Sequence, residues 1–201
     1  MSALEKQIAF LLEIDKVKTI IRRTRLLDNT RYENDAEHSW HLAVMAVILA
    51  PYANDSGLNV LKVLKMVLIH DLVEIDAGDT YLYDDHLKAE KARKEALAAE
   101  RIFGLLPSPQ KEELHALWEE FEARQTSEAL FAASLDRLEP LLQNYHTDGY
   151  AWKEHGIVST QVYKANEHIQ KGSQVLWAYA KDLIDRAVQE GKLKKGSSEN
   201  I

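Results

Sequence analysis

Cysteine is absent from the 201 residues of the chain. This absence excludes a disulfide framework and thiolate catalysis, and it means that any bound metal must be held by nitrogen and oxygen ligands. It also suits a reducing compartment, so we expect a cytoplasmic protein. Glycine and proline are scarce, with 8 and 4 residues. Because apolar residues recur at helical spacing along most of the chain, we expect an all-α fold with short connections and no strand.

Long apolar runs and excess positive charge are missing as well. The N-terminal segment MSALEKQIAFLLEIDKVKTI carries charges throughout, so it lacks the unbroken apolar core of a signal peptide or a membrane span. The formal net charge is -7, from 25 Lys plus Arg against 32 Asp plus Glu. Such a balance argues against broad binding to nucleic acid polymers or anionic membranes, and we expect neither as a partner.

One short basic segment stands out from this acidic background. It contains four arginines: Arg22, Arg23, Arg25 and Arg31. A local cationic site in an acidic protein suits a small phosphorylated ligand better than a polymer. The alternative is a solvated helix end whose arginines form surface salt bridges.

The length fits one compact domain, which we assign to residues 1–190. The remaining residues, GKLKKGSSENI (191–201), have little to bury and are predicted to form a disordered polar tail. The predicted helices cover residues 3–24, 35–50, 59–75, 84–103, 109–124, 127–145, 158–170 and 173–190. Most of the buried stripe of the first is assigned to Ile8, Leu11, Leu12, Ile14 and Val17, and the second is predicted to begin with a capping box formed by Asn34 and Glu37.

Ionisable residues follow the third helix at positions where its pattern predicts buried apolar residues. The run VLKMVLIHDLVEIDAGD places His70 and Asp71 directly after a segment that must be buried. A buried histidine beside a buried carboxylate is unfavourable unless something pairs with both, and a metal ion would do so. The alternative is a hydrogen-bonded pair that ties two helices together.

The second helix, within ENDAEHSWHLAVMAVILA, has His38 in its first turn and His41 three residues later. An H-x-x-H pair on one face could bind a metal without His70, or His38 could be a capping or core residue. The H-E-x-x-H pattern of zinc proteases is absent. Trp40 is predicted to lie in the core.

Asp136 lies next to the apolar stripe of the helix SEALFAASLDRLEPLLQN. Pro140 follows four residues later and cannot donate the helical hydrogen bond that the Asp136 carbonyl would accept, so a bend is expected there. A distortion beside a buried carboxylate is common at ligand sites, whereas a plain surface aspartate is the alternative.

The order of His38, then His70-Asp71, then a distant Asp136 resembles the H…HD…D signature of the HD-domain metal-dependent phosphohydrolases. The flanking segments EHSWHLAVMA, IHDLVEIDAGD and LWEEFEARQTSEALFAASLD resemble the branch that contains bacterial 5'-deoxynucleotidases and their eukaryotic HD-domain relatives. The similarity covers about residues 11–145. It implies a helical bundle of the HD type and one divalent metal ion held by His38, His70, Asp71 and Asp136. Such ligands suit Mn, Co, Fe, Ni or Zn, with Mg possible.

The resemblance also implies roles for residues around the metal. Glu74 matches a glutamate that assists proton transfer, the alternative being an exposed helix-end carboxylate. Asp79 matches a carboxylate that contacts the sugar, the alternative being an Asx-turn residue after Gly78. Arg23 matches the arginine of an Arg-Trp pair that holds the phosphate, but Thr24 replaces the tryptophan, which leaves nucleoside selectivity open.

The activity that the resemblance implies is metal-dependent hydrolysis of nucleoside 5'-monophosphates, in particular deoxyribonucleotides, to nucleoside and phosphate. Two alternatives stay open. One is a non-catalytic HD-type helical module that binds a ligand, and the other is an HD phosphodiesterase acting on another nucleotide. Relatives in this branch are commonly dimers, so a homodimer is expected. The apolar run at Val175, Leu176, Trp177 and Tyr179 belongs either to the dimer interface or to the core.

Overall fold

The computed structural model describes residues 1–78 and 88–196. The described chain is a helical bundle, and the predicted all-α class is confirmed. Its helices, in chain order, are α1 (Ala3–Glu13), α2 (Asp35–Leu49), α3 (Val60–Ile69), α4 (Glu74–Ala77), α5 (Lys88–Phe103), α6 (Gln110–Ala123), α7 (Ser127–His146), α8 (Tyr150–Glu154), α9 (Ser159–Asn166), α10 (Ile169–Gly172) and α11 (Gln174–Gln189). Short 3-10 segments lie at Ile14–Thr19, Ala50–Tyr52 and His70–Val73.

Helix α7 is the central element of the bundle. It contacts α2, α3, α6, α10 and α11, and Phe131, Leu135 and Leu138 are among its buried residues. Thr126 caps its start by accepting a hydrogen bond from the Ala129 N–H, and the helix continues through Pro140. Because the helix crosses the core, any polar residue on its inner face is removed from water and needs a partner there.

A small two-stranded sheet interrupts the helical pattern. Strand β1 (Ile21–Arg25) pairs antiparallel with β2 (Tyr32–Asn34), with Ile21 opposite Asn34 and Arg25 opposite Tyr32. The prediction that the chain has no strand is therefore wrong here, as is the prediction of one helix over residues 3–24. Successive β-branched residues at 19–21 favour an extended backbone, and the left-handed Asn29 in the connecting turn (φ 62°) lets the chain reverse.

The predicted buried stripe of the first helix is only partly correct. Val17 is buried and Ile14 packs against the core, but Ile8, Leu11 and Leu12 are exposed, and Phe10 is the buried residue of α1. The helix ends at Glu13 and gives way to a 3-10 segment, so the positions before and after this break do not share one helical face. Trp40, predicted to be core, is 65% exposed.

Local signals placed the other boundaries near the functional residues. The capping box formed by Asn34 and Glu37 is present at the start of α2, which confirms that prediction. Asn59 caps α3 through the Lys62 N–H. The predicted third helix is divided, because α3 ends at Ile69 and a 3-10 turn follows over His70–Val73.

The end of the described chain packs against the domain. Leu193 is 2% exposed, the Ser159 N–H donates to the Lys194 carbonyl, and Val158 and Lys194 form a parallel bridge. The prediction of disorder from residue 191 onward is therefore wrong for 191–196, because an apolar residue in that polar segment finds a buried position. Residues 197–201 lie outside the described residues. Within the described ranges, no helix is long and apolar enough to cross a membrane.

Candidate metal centre

The four predicted ligands come together from three parts of the bundle. His38 lies on α2, His70 and Asp71 on the 3-10 turn after α3, and Asp136 on α7. His38 and His70 are buried, and their ring centroids lie 5.6 Å apart. The packing of α2 and α3 against α7 is what brings residues nearly 100 positions apart into one cluster.

The His70 ring is held by the backbone. Its Nδ1 lies 3.0 Å from the Val67 carbonyl oxygen, and because a carbonyl only accepts, Nδ1 carries the hydrogen. In the neutral ring, Nε2 then has a free lone pair. It lies 3.1 Å from Asp71 Oδ1 and 3.8 Å from Asp136 Oδ1, and neither contact has the geometry of a hydrogen bond. A buried lone pair beside two carboxylates fits a cation between them.

His38 approaches the same place from the opposite side. Its Nε2 lies 3.3 Å from Asp136 Oδ1 and 3.8 Å from Asp71 Oδ2, while its Nδ1 lies 3.2 Å from Glu139 Oε2. His38, His70 and Asp136 each offer a ligand atom, and these atoms all lie within 4.8 Å of one another. Asp71 joins this set through its contacts with both rings, so the four predicted ligands form one centre.

The charged groups of the centre shift one another's pKa. Burial and Arg22 lower the pKa of His38, but hydrogen bonds to Asp136 and Glu139 outweigh them and raise it to about 10. Burial raises the pKa of Asp136, yet Arg137 and the two histidines hold it well below its usual range. Burial likewise raises the pKa of Glu139, but contacts with His38 and His41 lower it to about 2. Asp136 and Glu139 are therefore charged at neutral pH, which favours a cation.

Arg22, and not Arg23, is the strand arginine in contact with the centre. Its guanidinium Nη1 lies 3.0 Å from Asp71 Oδ2 and 3.3 Å from Asp35 Oδ1, and its Nε lies 3.6 Å from Glu33 Oε2. Arg23 is exposed on the other face of β1. Side chains alternate between the faces of a strand, so Arg22 and Arg23 lie on opposite faces, and the phosphate contact of Arg23 stays a prediction.

Glu74 lies at the start of α4 and is buried, so the alternative of an exposed helix-end carboxylate is wrong. Its carboxylate forms a group with Asp35 and Asp71 in which one oxygen of each lies within 4.8 Å of the others. Glu74 therefore borders the four ligands, as predicted. Asp79, the other residue expected to be catalytic and to bind substrate, lies outside the described residues.

A second layer of polar residues, which the sequence reasoning missed, lies behind His38. Glu139 contacts both His38 and His41, with Oε1 lying 3.3 Å from His41 Nδ1. Gln143 donates to Glu33 Oε1 over 2.7 Å. His41 thus contacts Glu139 instead of completing an H-x-x-H metal site with His38. A signal for Glu139 was available, because it follows Asp136 by three residues and shares its helical face.

Comparison with known proteins identifies the family. The model of the HD domain family matches residues 14–177. The chain belongs to the HD domain family. The crystal structure of a predicted metal-dependent phosphohydrolase from Magnetospirillum magnetotacticum is similar, with a TM-score of 0.91 and 52% identity over 96% of this chain and 100% of that one.

Curated relatives include the 5'-deoxynucleotidase HDDC2 of Homo sapiens, 35% identical over 67% of this chain, and that of Xenopus laevis, 39% identical over 55% of it. The matches span 64% and 53% of those two proteins, respectively. The HD domain implies a divalent metal. The residues of this HD domain fit such an ion, because the buried Nε2 of His70 has no hydrogen-bond partner and lies within 4 Å of two carboxylates.

Proposed function

We propose that this HD-domain protein is a metal-dependent phosphomonoesterase that hydrolyses nucleoside 5'-monophosphates, in particular deoxyribonucleotides, to nucleoside and phosphate. The observation that carries the proposal is the convergence of the two Nε2 atoms of His38 and His70 on Asp71 and Asp136, with Glu74 beside them. The substrate class is supported by relatives named 5'-deoxynucleotidase.

In this proposal one divalent ion is held by His38, His70, Asp71 and Asp136. Mixed imidazole and carboxylate ligands suit Mn, Co, Fe, Ni or Zn, and Mg is a further candidate. When bound, the ion supplies a water of lowered pKa and polarises a phosphate oxygen. His70 is presented for this purpose by its hydrogen bond to the Val67 carbonyl, which leaves Nε2 free for the ion.

The surrounding residues then handle the proton and the phosphate charge. Glu74 is buried beside Asp71, where a carboxylate can accept a proton from the attacking water. Arg22 contacts Asp71 and Asp35, so it balances the charge of these carboxylates beside the centre. Phosphate binding by Arg23, which is exposed on β1, stays part of the proposal. Contact of Asp79 with the sugar remains part of the proposal.

The experiment that tests this function is a phosphate-release screen of the purified full-length protein. Nucleoside mono-, di- and cyclic phosphates are assayed with Mn²⁺, Co²⁺, Fe²⁺, Ni²⁺, Zn²⁺ and Mg²⁺. We expect phosphate from deoxynucleoside 5'-monophosphates. Conversion of a cyclic nucleotide to the nucleoside monophosphate, which frees no phosphate and is therefore followed by chromatography, would favour the phosphodiesterase alternative. Metal binding without turnover would favour the non-catalytic module.

Variants locate the activity at this centre. His70→Ala and Asp71→Ala are expected to lose metal, measured by elemental analysis after gel filtration, together with turnover. His146→Ala, which removes an exposed histidine near the end of α7, is the matched control and should keep both. Normal metal content and turnover in His70→Ala would remove the site assignment.

The proposal extends to location and assembly. A cysteine-free chain suits the reducing cytoplasm, and we place the protein there. We also propose a homodimer, because apolar side chains are exposed on two helices: Trp40, Val47 and Ile48 on α2 and Val175 and Tyr179 on α11, whereas Leu176 is buried. Light scattering after gel filtration measures the mass, and a monomer at micromolar concentration would contradict the dimer.

A further inference from the structure

We propose that Glu139 is a positioning residue that fixes the tautomer and orientation of His38, so that Nε2 of His38 is the atom presented to the metal. This inference rests on the proposed metal centre and adds a residue to it. Glu139 and His38 are both fully buried, Glu139 on α7 and His38 on α2. Their contact therefore joins two helices through an interaction from which water is excluded.

The two metal-facing histidines are fixed in the same way by different groups. His70 Nδ1 donates to the Val67 carbonyl, and His38 Nδ1 lies 3.2 Å from Glu139 Oε2, a carboxylate oxygen that accepts. In both rings Nδ1 contacts a fixed oxygen and Nε2 lies near Asp136. A second nitrogen held by a carboxylate or carbonyl fixes which ring nitrogen carries the proton and raises the basicity of the other.

The other oxygen of Glu139 lies near a second histidine. Its Oε1 lies 3.3 Å from Nδ1 of His41, whose side chain is partly exposed. The carboxylate thus bridges a buried ring and a ring that reaches solvent. The hydrogen-bonded contact of Glu139 is therefore the one with His38.

A nearby carboxylate provides a comparison. Glu33 Oε2 lies 3.8 Å from His38 Nδ1, which is too long for a hydrogen bond, and its Oε1 accepts from Gln143 instead. Glu33 is therefore close to His38 and buried like Glu139, but it does not hold the ring. Closeness of a buried glutamate to His38 is therefore not enough to hold the ring, and Glu139→Gln separates charge from the hydrogen bond because it removes the charge and keeps an accepting oxygen. If the hydrogen bond matters, Glu139 alone controls metal binding through His38.

The test measures metal affinity in variants of the full-length protein. Glu139→Leu removes the acceptor and is expected to weaken Zn²⁺ binding by about 10–100-fold in a competition titration. Glu139→Gln keeps an oxygen for the His38 Nδ1–H and offers its amide to His41, so it should bind Zn²⁺ more tightly than Glu139→Leu. Glu33→Gln is the matched control and should stay close to the unaltered protein. Circular dichroism and thermal unfolding establish that each variant is folded.

A second measurement does not depend on the leucine variant folding. Long-range ¹H–¹⁵N spectra of the Zn²⁺-loaded unaltered protein and of Glu139→Gln are expected to show His38 with its proton on Nδ1 and the metal on Nε2. A proton on Nε2, or equal affinities for folded Glu139→Leu and the unaltered protein, would overturn the inference. A loss of Zn²⁺ affinity in Glu33→Gln as large as that in Glu139→Leu would overturn it as well. Absence of Zn²⁺ binding by the unaltered protein would instead remove the proposed metal centre, and with it this inference.

Discussion

Replacement of Arg22 by methionine tests how the charges of the centre are balanced. Arg22 is largely buried and lies within 4 Å of Glu33, Asp35 and Asp71. Burial and Glu139 raise the pKa of Glu33 to about 8, so this residue is mostly protonated at pH 7. The charges that Arg22 neutralises at pH 7 are therefore chiefly those of the two aspartates.

The magnitude follows from the burial of these contacts. Removing one partner of a buried ion pair leaves an uncompensated charge and typically destabilises a protein by about 3–5 kcal/mol. Methionine has a similar length and an apolar, adaptable side chain, so packing contributes little to the loss. We expect Arg22→Met to lower the free energy of unfolding by about 3 kcal/mol or more. The partial exposure of Asp71, 13% for its side chain, keeps the effect at the lower end of that range.

The adjacent arginine supplies the control. Arg23 is exposed on the opposite face of β1, and a surface substitution there should change stability by no more than about 0.5 kcal/mol. Urea unfolding at pH 7 is monitored by circular dichroism in the presence of a chelator for both variants and the unaltered protein. Their unfolding midpoints are compared with one common dependence of the unfolding free energy on urea concentration. A loss below about 1 kcal/mol for Arg22→Met, or an equal loss for Arg23→Met, would refute this reasoning about the ion pairs.

Three further predictions concern parts of the fold away from the ligands. Burial, with Arg137 and Arg124 nearby, lowers the pKa of His168 to about 4, below the ordinary value of about 6.5, so the unfolded chain binds the proton more readily. Stability from this group is present above pH 6.5 and is lost as the pH falls toward 4. Urea titrations over this pH range should show that His168→Gln loses less stability on acidification than the unaltered protein, by at most about 2 kcal/mol because the ring is partly exposed. An equal loss in both proteins would contradict the assignment. Gly172→Ala would place a Cβ within 2.4 Å of the Leu130 carbonyl oxygen and should destabilise the packing of α10 on α7 by about 1–3 kcal/mol in the same assay, whereas exposed Gly57→Ala should be near neutral. Phe131→Ala empties a fully buried position on α7 and should lower the unfolding free energy by about 3–5 kcal/mol; a loss under 1 kcal/mol would mean that the site is not core.

The sequence predicted much of the centre because ionisable residues occupy positions that the apolar pattern predicts to be buried. A histidine and an aspartate that follow an apolar helix need a partner, and the resemblance to HD-domain proteins added His38 and Asp136 to them. The structure brings all four together. Glu74 was predicted beside them and lies there, buried.

The errors before residue 26 share one physical cause. Apolar spacing predicted a single helix through residue 24, but a short 3-10 segment and a strand replace its second half. A change from helical to strand geometry alters which side chains share a face, and on β1 Arg22 is the residue that contacts Asp71. The same break explains why Ile8, Leu11 and Leu12 are exposed. Pairing with β2 decided the conformation of this segment, and the local residue pattern does not predict that pairing.

By itself, therefore, the sequence determined the helical class, the cap of α2, and the need of His70 and Asp71 for a buried partner. These follow from local spacing and from the high free energy of unpaired buried charge. Tertiary structure alone decided which arginine meets Asp71 and which glutamate holds His38. Those choices depend on how α2, α7 and β1 pack against one another, because residues about 100 positions apart meet only when the helices dock.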